Sequence, residues 1–236
     1  PRKYKTAISG SPVLDIAHEI NDISFVGVEH PEHGPGFDLW VGGGLSVKPV
    51  LAERLGAWVP LEDVPEVWHG VTSIFRDRGF RRLRNKARLK FLVQEWSPEK
   101  FRDILETEYL GRRLADGPAP TVPAGTRRDH VGIHEQHDGK VWVGTTTIGG
   151  RIGGEGLERL ADLAESVGST RVRFTPHQKI LVLDVPPEKA EQLAADLKEI
   201  GLETFPSEWR RNVLACTGLE FCKLALTDTK NRARWT

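Results

Sequence analysis

Methionine is missing from all 236 residues, cysteine occurs only twice, and no apolar run approaches the ~18 to 20 residues that a membrane-spanning helix needs. Two cysteines are too few for the disulfide framework of a small secreted protein. The opening PRKYKTAISGSP lacks the apolar h-region of a signal peptide. The expectation is a soluble, cytoplasmic chain. An excess of either charge is lacking too, since 33 Lys and Arg balance 33 Asp and Glu. The whole protein therefore has no electrostatic attraction to nucleic acid or an anionic membrane, and any anion site must be local. Proline at position 1 with no methionine fits either a processed start or a segment of a longer chain.

What is present is enough for a core. At 39% apolar residues, the length suits one large or two modest domains. Residues 1 to 60 read as short strands and turns: DISFVGVE is a strand, HPEHGPG a turn, and FDLWVGGGLS a strand running into glycines. PLEDVPEVWHGVTSIFRDRG predicts a helix with Pro65 in its first turn and Gly79 as its stop. Leu89, Leu92, Val93 and Trp96 repeat at helical spacing, and SPEK offers Ser97 as N-cap and Pro98 at the first position of another helix. GPAPTVPAG, residues 117 to 125, is the clearest linker. Beyond it lie two strands around a DG turn, a helix from Glu155 to Val167, one strand RVRFTPHQKILVLDV, and a helix from Pro187 to Ile200. That order predicts a ββαβα unit with two helices on one face of a small sheet.

Three places offer positive charge or bare backbone. Arg2, Lys3 and Lys5 crowd three cations into four positions, suited to an oxyanion or to a solvated terminus. GGGLS removes side chains at Gly42, Gly43 and Gly44, so that backbone N–H groups can approach an anionic ligand; a plain turn is the alternative. RDRGFRRLRNKARLK, residues 76 to 90, holds eight basic residues and one acidic, and that density calls for anionic partners. Phosphates of nucleic acid and a multiply carboxylated cofactor are both candidates. Cys216 and Cys222, with five residues between them in ACTGLEFCKLA, are either buried thiols or part of a metal site. Structural zinc and iron–sulfur clusters both normally take four ligands, so either metal leaves half the ligands to be found elsewhere.

PRKYKT, GGGLS, the RxxRxRNKARLKFLV stretch, RFTPHQKILVLDV and ACTGLEFCKLA stand here in the order and spacing found in siroheme-dependent sulfite and nitrite reductases. The chain resembles a central segment of the ferredoxin-dependent branch of that family, over essentially all of its length. The resemblance implies an α+β fold: a ferredoxin-like half-domain plus a larger α/β domain of the siroheme and cluster type, within an internally duplicated reductase. It divides the chain into the first such large domain at 1–116, a linker at 117–128, the half-domain at 129–205 and the start of a second large domain at 206–236.

The same resemblance assigns roles. Lys3 and Lys5 fall on lysines that face the substrate above the siroheme iron. Arg2 and Arg88 fall on basic positions at the siroheme carboxylates, Gly42, Gly43 and Gly44 on its glycine-rich contact loop, and Arg81 on a further cofactor position. Arg173, Thr175 and Gln178 repeat a pattern that contacts siroheme in the first half-domain of the family, whose substrate-binding arginines lie outside this sequence. Cys216 and Cys222 match the C-x5-C half of a four-cysteine pattern that binds a [4Fe-4S] cluster. The implied activity is six-electron reduction of sulfite to sulfide with ferredoxin as donor, or of nitrite to ammonia. A nucleic-acid-binding protein using residues 76 to 90, and a zinc scaffold using the two cysteines across a dimer, are the readings from other classes.

Overall fold

A computed structural model describes residues 3–11, 13–46, 48–121 and 128–235. The chain divides into two compact units, residues 1–128 and 129–236. The first carries a four-stranded sheet of β1 (Thr6–Ser9), β2 (Ile23–His30), β3 (Gly34–Val41) and β4 (Glu53–Val59), in that spatial order. β1 runs parallel to β2, and the other neighbours are antiparallel. Ile23 stands opposite Val41 and Phe25 opposite Leu39. Alternation therefore puts these four side chains on one face, and all are fully buried.

That face is covered by α1 (Val64–Arg78), α2 (Leu89–Trp96) and α3 (Pro98–Ile104), the last continuing into a π-helical turn, Leu105–Leu110. Val67, Val71, Ile74, Leu89, Phe101 and Leu105 pack into the same core as the strands. Each such side chain contributes roughly 1.5–3 kcal/mol on burial. The expected punctuation is where the sequence put it. Pro65 lies in the first turn of α1 and Gly79 caps its end. Ser97 caps α3, its hydroxyl accepting from Lys100 N.

The second unit has β5 (Gly132–Glu135), β6 (Val141–Thr146), α4 (Gly154–Ser166), β7 (Val172–Phe174), β8 (Lys179–Val185) and α5 (Ala190–Glu199). Its sheet is antiparallel throughout, in the order β5-β6-β8-β7. Leu160 and Ala164 of α4 and Leu193 and Leu197 of α5 share one core with Val143, Ile180 and Val182 of the sheet. The single strand expected over RVRFTPHQKILVLDV is instead a hairpin, making the unit ββαββα. TPHQ folds the chain back: Pro176 has no ladder N–H to give, Gln178 adopts φ +59°, and the Thr175 hydroxyl accepts from the His177 and Lys179 amides. Two short helices follow, α6 (Glu208–Asn212) and α7 (Thr229–Arg232).

Among the described residues no helix is long and apolar enough to cross a membrane. Part of the predicted linker, residues 122–127, lies outside the described residues, as does Arg2.

Candidate functional site

In the first unit the candidate residues gather around a carboxylate that sequence reading overlooked. Asp22, fully buried, sits immediately before β2. Its Oδ2 accepts from the Lys5 backbone N–H at 2.8 Å and from Arg88 Nη2 at 2.9 Å, while Oδ1 accepts from Arg88 Nε at 3.0 Å. The segment from Lys3 to Lys5 is thus pinned to the sheet before β1 begins.

Tyr4 supplies the second anchor. Its ring stacks on Phe75 of α1 at 5.7 Å and meets Trp68 edge-on at 6.1 Å, and its hydroxyl lies 3.2 Å from Thr72 Oγ1. Burial raises the Tyr4 pKa well above the usual phenol range, so the hydroxyl stays neutral. With Tyr4 turned inward, Lys3 is exposed and Lys5 half-buried. Burial first, and then the Lys3 and Arg88 cations, hold the Lys5 ammonium below its ordinary range, against the pull of Asp22. No hydrogen bond or ion pair to the Lys5 ammonium forms among the described residues. Its charge is available to an anion.

The glycine triplet abuts the Asp22 main chain and Arg88, but not as bare donors. Gly42 N–H donates to Asp22 O, Gly43 N–H to Asn21 O and Gly44 N–H to Val50 O, at 2.8–2.9 Å. The expectation that these amides reach an anionic ligand is corrected by that pairing. The glycines are there for close approach. Gly42 has φ +82°, and a Cβ on Gly43 would come within 2.3 Å of the Glu19 carbonyl. A Cβ on Gly44 would meet Arg88 Nη2 at 2.6 Å. Whatever contact this loop makes is through its surface.

The basic stretch is similarly resolved into internal partners and a remainder. Arg76 pairs with Asp77, Arg78 with Glu108 and Arg88 with Asp22. Arg81 caps the end of α1 through the carbonyls of Phe75 and Arg76 and lies over the Phe75 ring at 4.8 Å. Lys90, almost fully buried, donates to the carbonyls of Gly44, Leu45 and Lys48. Arg82, Arg84 and Lys86 are exposed and make no side-chain pairing among the described residues. Five of the eight cations are satisfied by the fold. Arg81 joins the Lys3–Lys5 region only indirectly, through the Phe75–Tyr4 stack.

In the second unit both cysteines are free thiols, Cys216 exposed and Cys222 half-buried, on either side of a 3-10 turn at Gly218–Glu220. The Thr229 hydroxyl and the Gly218 backbone N–H hold the Cys216 thiol below its ordinary range. Three side chains, Thr229 among them, fix the approach to it. Gln178 grips Ala215 twice, Nε2 donating to its carbonyl at 2.8 Å and Oε1 accepting from its amide at 3.2 Å. Lys230 Nζ donates to the same carbonyl at 2.7 Å, and Thr229 Oγ1 donates to Cys216 O at 2.8 Å. Thr175 and Gln178, which repeat a cofactor-contacting pattern of the family's first half-domain, serve here as turn former and loop clamp. Arg173 is exposed. Among the described residues no group of three or more His, Cys, Asp or Glu side chains could hold a metal ion. Two reduced, accessible thiols fit half of a four-thiolate cluster and do not complete one.

Comparison with known proteins gives a consistent picture. A family model described as nitrite and sulphite reductase 4Fe-4S domain matches residues 1–114, and one described as nitrite/sulfite reductase ferredoxin-like half domain matches residues 134–200. The chain is 58% identical over 234 residues to "Sulfite reductase [ferredoxin] 2" of Mycolicibacterium paratuberculosis, covering 99% of this chain and 42% of that protein. It is 36% identical over 236 residues to "Ferredoxin--nitrite reductase" of Synechococcus elongatus, covering 99% of this chain and 46% of the relative. The solved structure of Mycobacterium tuberculosis NirA protein superposes with a TM-score of 0.94 at 57% identity, over 99% of this chain and 42% of that one. The chain spans less than half the length of these relatives.

Proposed function

The chain belongs to the nitrite and sulfite reductase family, and we propose that it forms part of a ferredoxin-dependent enzyme that reduces sulfite to sulfide. The observation that carries this reading is the Lys3–Lys5 segment pinned on Asp22, with the Lys5 ammonium left available beside Lys3. Two neighbouring cations held by buried groups behind them are suited to a small, doubly charged oxyanion. We take 1–116 as the first large siroheme and cluster-type domain, 129–205 as the ferredoxin-like half-domain and 206–236 as the start of a second large domain; the family-model matches at 1–114 and 134–200 are in keeping with the first two.

When bound, siroheme and a [4Fe-4S] cluster supply the electrons and the open iron position for a six-electron reduction in which three oxygens leave as water. This chain's residues do the rest. Cys216 and Cys222 would be two of the four cluster thiolates. Lys3 and Lys5, with Arg2, would neutralise substrate and macrocycle carboxylates, and protons would reach the departing oxygens from Lys Nζ. Asp22 and Arg88 keep that segment in place, and their mutual neutralisation leaves the lysines' charge uncompensated. A reducing, cytoplasmic setting suits two free thiols.

Identity favours sulfite over nitrite, 58% against 36% to the respective named relatives. The internal pairing of most cations in residues 76 to 90 counts against a nucleic-acid surface there. In the holoenzyme, Lys3→Ala or Lys5→Ala is expected to lower sulfite turnover far more than siroheme content. Unchanged turnover in both variants overturns the assignment.

A further inference from the structure

The loop that carries Cys216 is tied down more heavily than a surface turn requires. Lys230, only 7% exposed, donates from Nζ to the carbonyls of Gly149 and Ala215. Gly149 and Gly150 adopt φ of +59° and +70° to make that possible. A Cβ on Gly150 would meet Gln178 Oε1 at 2.4 Å and Lys230 Nζ at 3.0 Å, so the glycine leaves room for both clamps. Thr229, adjacent in sequence, holds the next carbonyl and lies with Oγ1 3.4 Å from Cys216 Sγ. An Arg151–Glu220 ion pair ties the turn between the cysteines to the same glycine-bearing loop.

Gln178 already donates to the Ala215 carbonyl. Lys230 adds a second donor there and joins it to the Gly149 carbonyl, and a buried ammonium is costly to desolvate unless its charge is used. Its neighbour is a sulfur that carries negative charge when it ligates a cluster. Charge and hydrogen bonding around ligating sulfurs set the reduction potential of such clusters, and the groups just behind the ligands tune the metal.

We propose that Lys230 is a positioning residue for the Cys216 thiolate, fixing its backbone and placing a positive charge that raises the potential of the cluster Cys216 helps to hold. This rests on Cys216 being a cluster ligand. The inference concerns how readily the cluster accepts an electron from the donor, and it assigns a task to a residue outside the cysteine pattern.

The test is a redox titration of the purified holoenzyme followed by the cluster's paramagnetic signal, with iron and sulfide content measured alongside. Lys230→Gln keeps a donor for the two carbonyls and removes the charge. Full cluster content is expected, with the one-electron equilibrium shifted about tenfold toward the oxidised cluster, which is about 59 mV more negative; Lys230→Arg is expected to restore it. Gln178→Glu tests the same charge from the other side: it gives up the Nε2 donor to the Ala215 carbonyl, adds a negative charge beside the groups that surround Gly150, and is expected to move the potential in the same direction. A wild-type potential in fully loaded Lys230→Gln, or in Gln178→Glu should the first variant not accumulate, overturns the inference and leaves the cluster reading intact. A wild-type holoenzyme without a four-iron cluster overturns both.

Discussion

Arg88 and Asp22 are 66 residues apart in sequence and meet through two parallel hydrogen bonds of 3.0 and 2.9 Å, the carboxylate fully buried and the guanidinium nearly so. Such a pair is expensive to break from one side, because the surviving charge stays buried without a partner. Asp22→Ala is expected to lower unfolding stability by about 3–5 kcal/mol. Urea unfolding measures this, and a loss below ~1 kcal/mol would mean that Arg88 finds water or another acceptor.

Two glycine replacements separate close packing from chain entropy. Gly43→Ala forces a methyl to within 2.3 Å of the Glu19 carbonyl and 2.6 Å of that of Asn21, both main chain and unable to yield cheaply. A cost at or above the usual ~1–3 kcal/mol of overpacking is expected. Gly154, the first residue of α4, has open space where a methyl would stand, with no atom within 4 Å, and Gly154→Ala is expected to stabilise by roughly 0.5–1 kcal/mol. Melting temperatures of the two variants should move in opposite directions.

Asp184 gives the second unit a distinct acid response. Arg171 binds both its oxygens and Gln136 Nε2 donates to one of them at 3.0 Å, so the folded carboxyl titrates well below the usual range, chiefly because of Arg171. A lowered folded pKa means stability that is fully present above the unfolded value of ~3.9 and is lost as pH falls from there toward the folded value. Asp184→Asn is expected to be less stable than wild type at pH 7 and to lose less on going to pH 3. Denaturation midpoints at the two pH values decide it; equal losses in both proteins would remove Asp184 from the acid limb.

Lys90→Met is expected to leave the carbonyls of Leu45 and Lys48 without the ammonium donor, while that of Gly44 keeps the Val50 N–H, at about 1–3 kcal/mol. Faster amide exchange at Gly44 and Val50, which bond to each other in both directions, is the local signature. Unaltered exchange would show that the loop holds itself.

Local signals carried the helices of both units: Pro65 and Gly79 bracket α1, and Ser97 with Pro98 opens α3, because caps and breakers act within a turn or two. The cysteine pair and the lysine-rich start stand out in the sequence because each is a cluster within a few residues. What sequence reading lost is action at a distance. Nothing near Asp22 announces Arg88, and Gln178 is separated by 37 residues from the Ala215 backbone it clamps. The β7–β8 hairpin was missed because Val172 to Val185 is apolar enough on both sides of TPHQ to pass for one strand. The glycine triplet was read for the right property, the lack of a side chain. Its use, however, lies in packing against Glu19, Val93 and Arg88, all distant in sequence.

The ammonium of Lys90 takes the place that a dehydrated alkali-metal ion would occupy, ringed by main-chain oxygens from one loop. Being covalently attached, it cannot be chelated, exchanged or diluted away. The loop that borders the Asp22–Arg88 pair should therefore keep its shape whether the surrounding salt is sodium, potassium or a bulky organic cation, and any sensitivity of the chain to the identity of the cation must arise elsewhere.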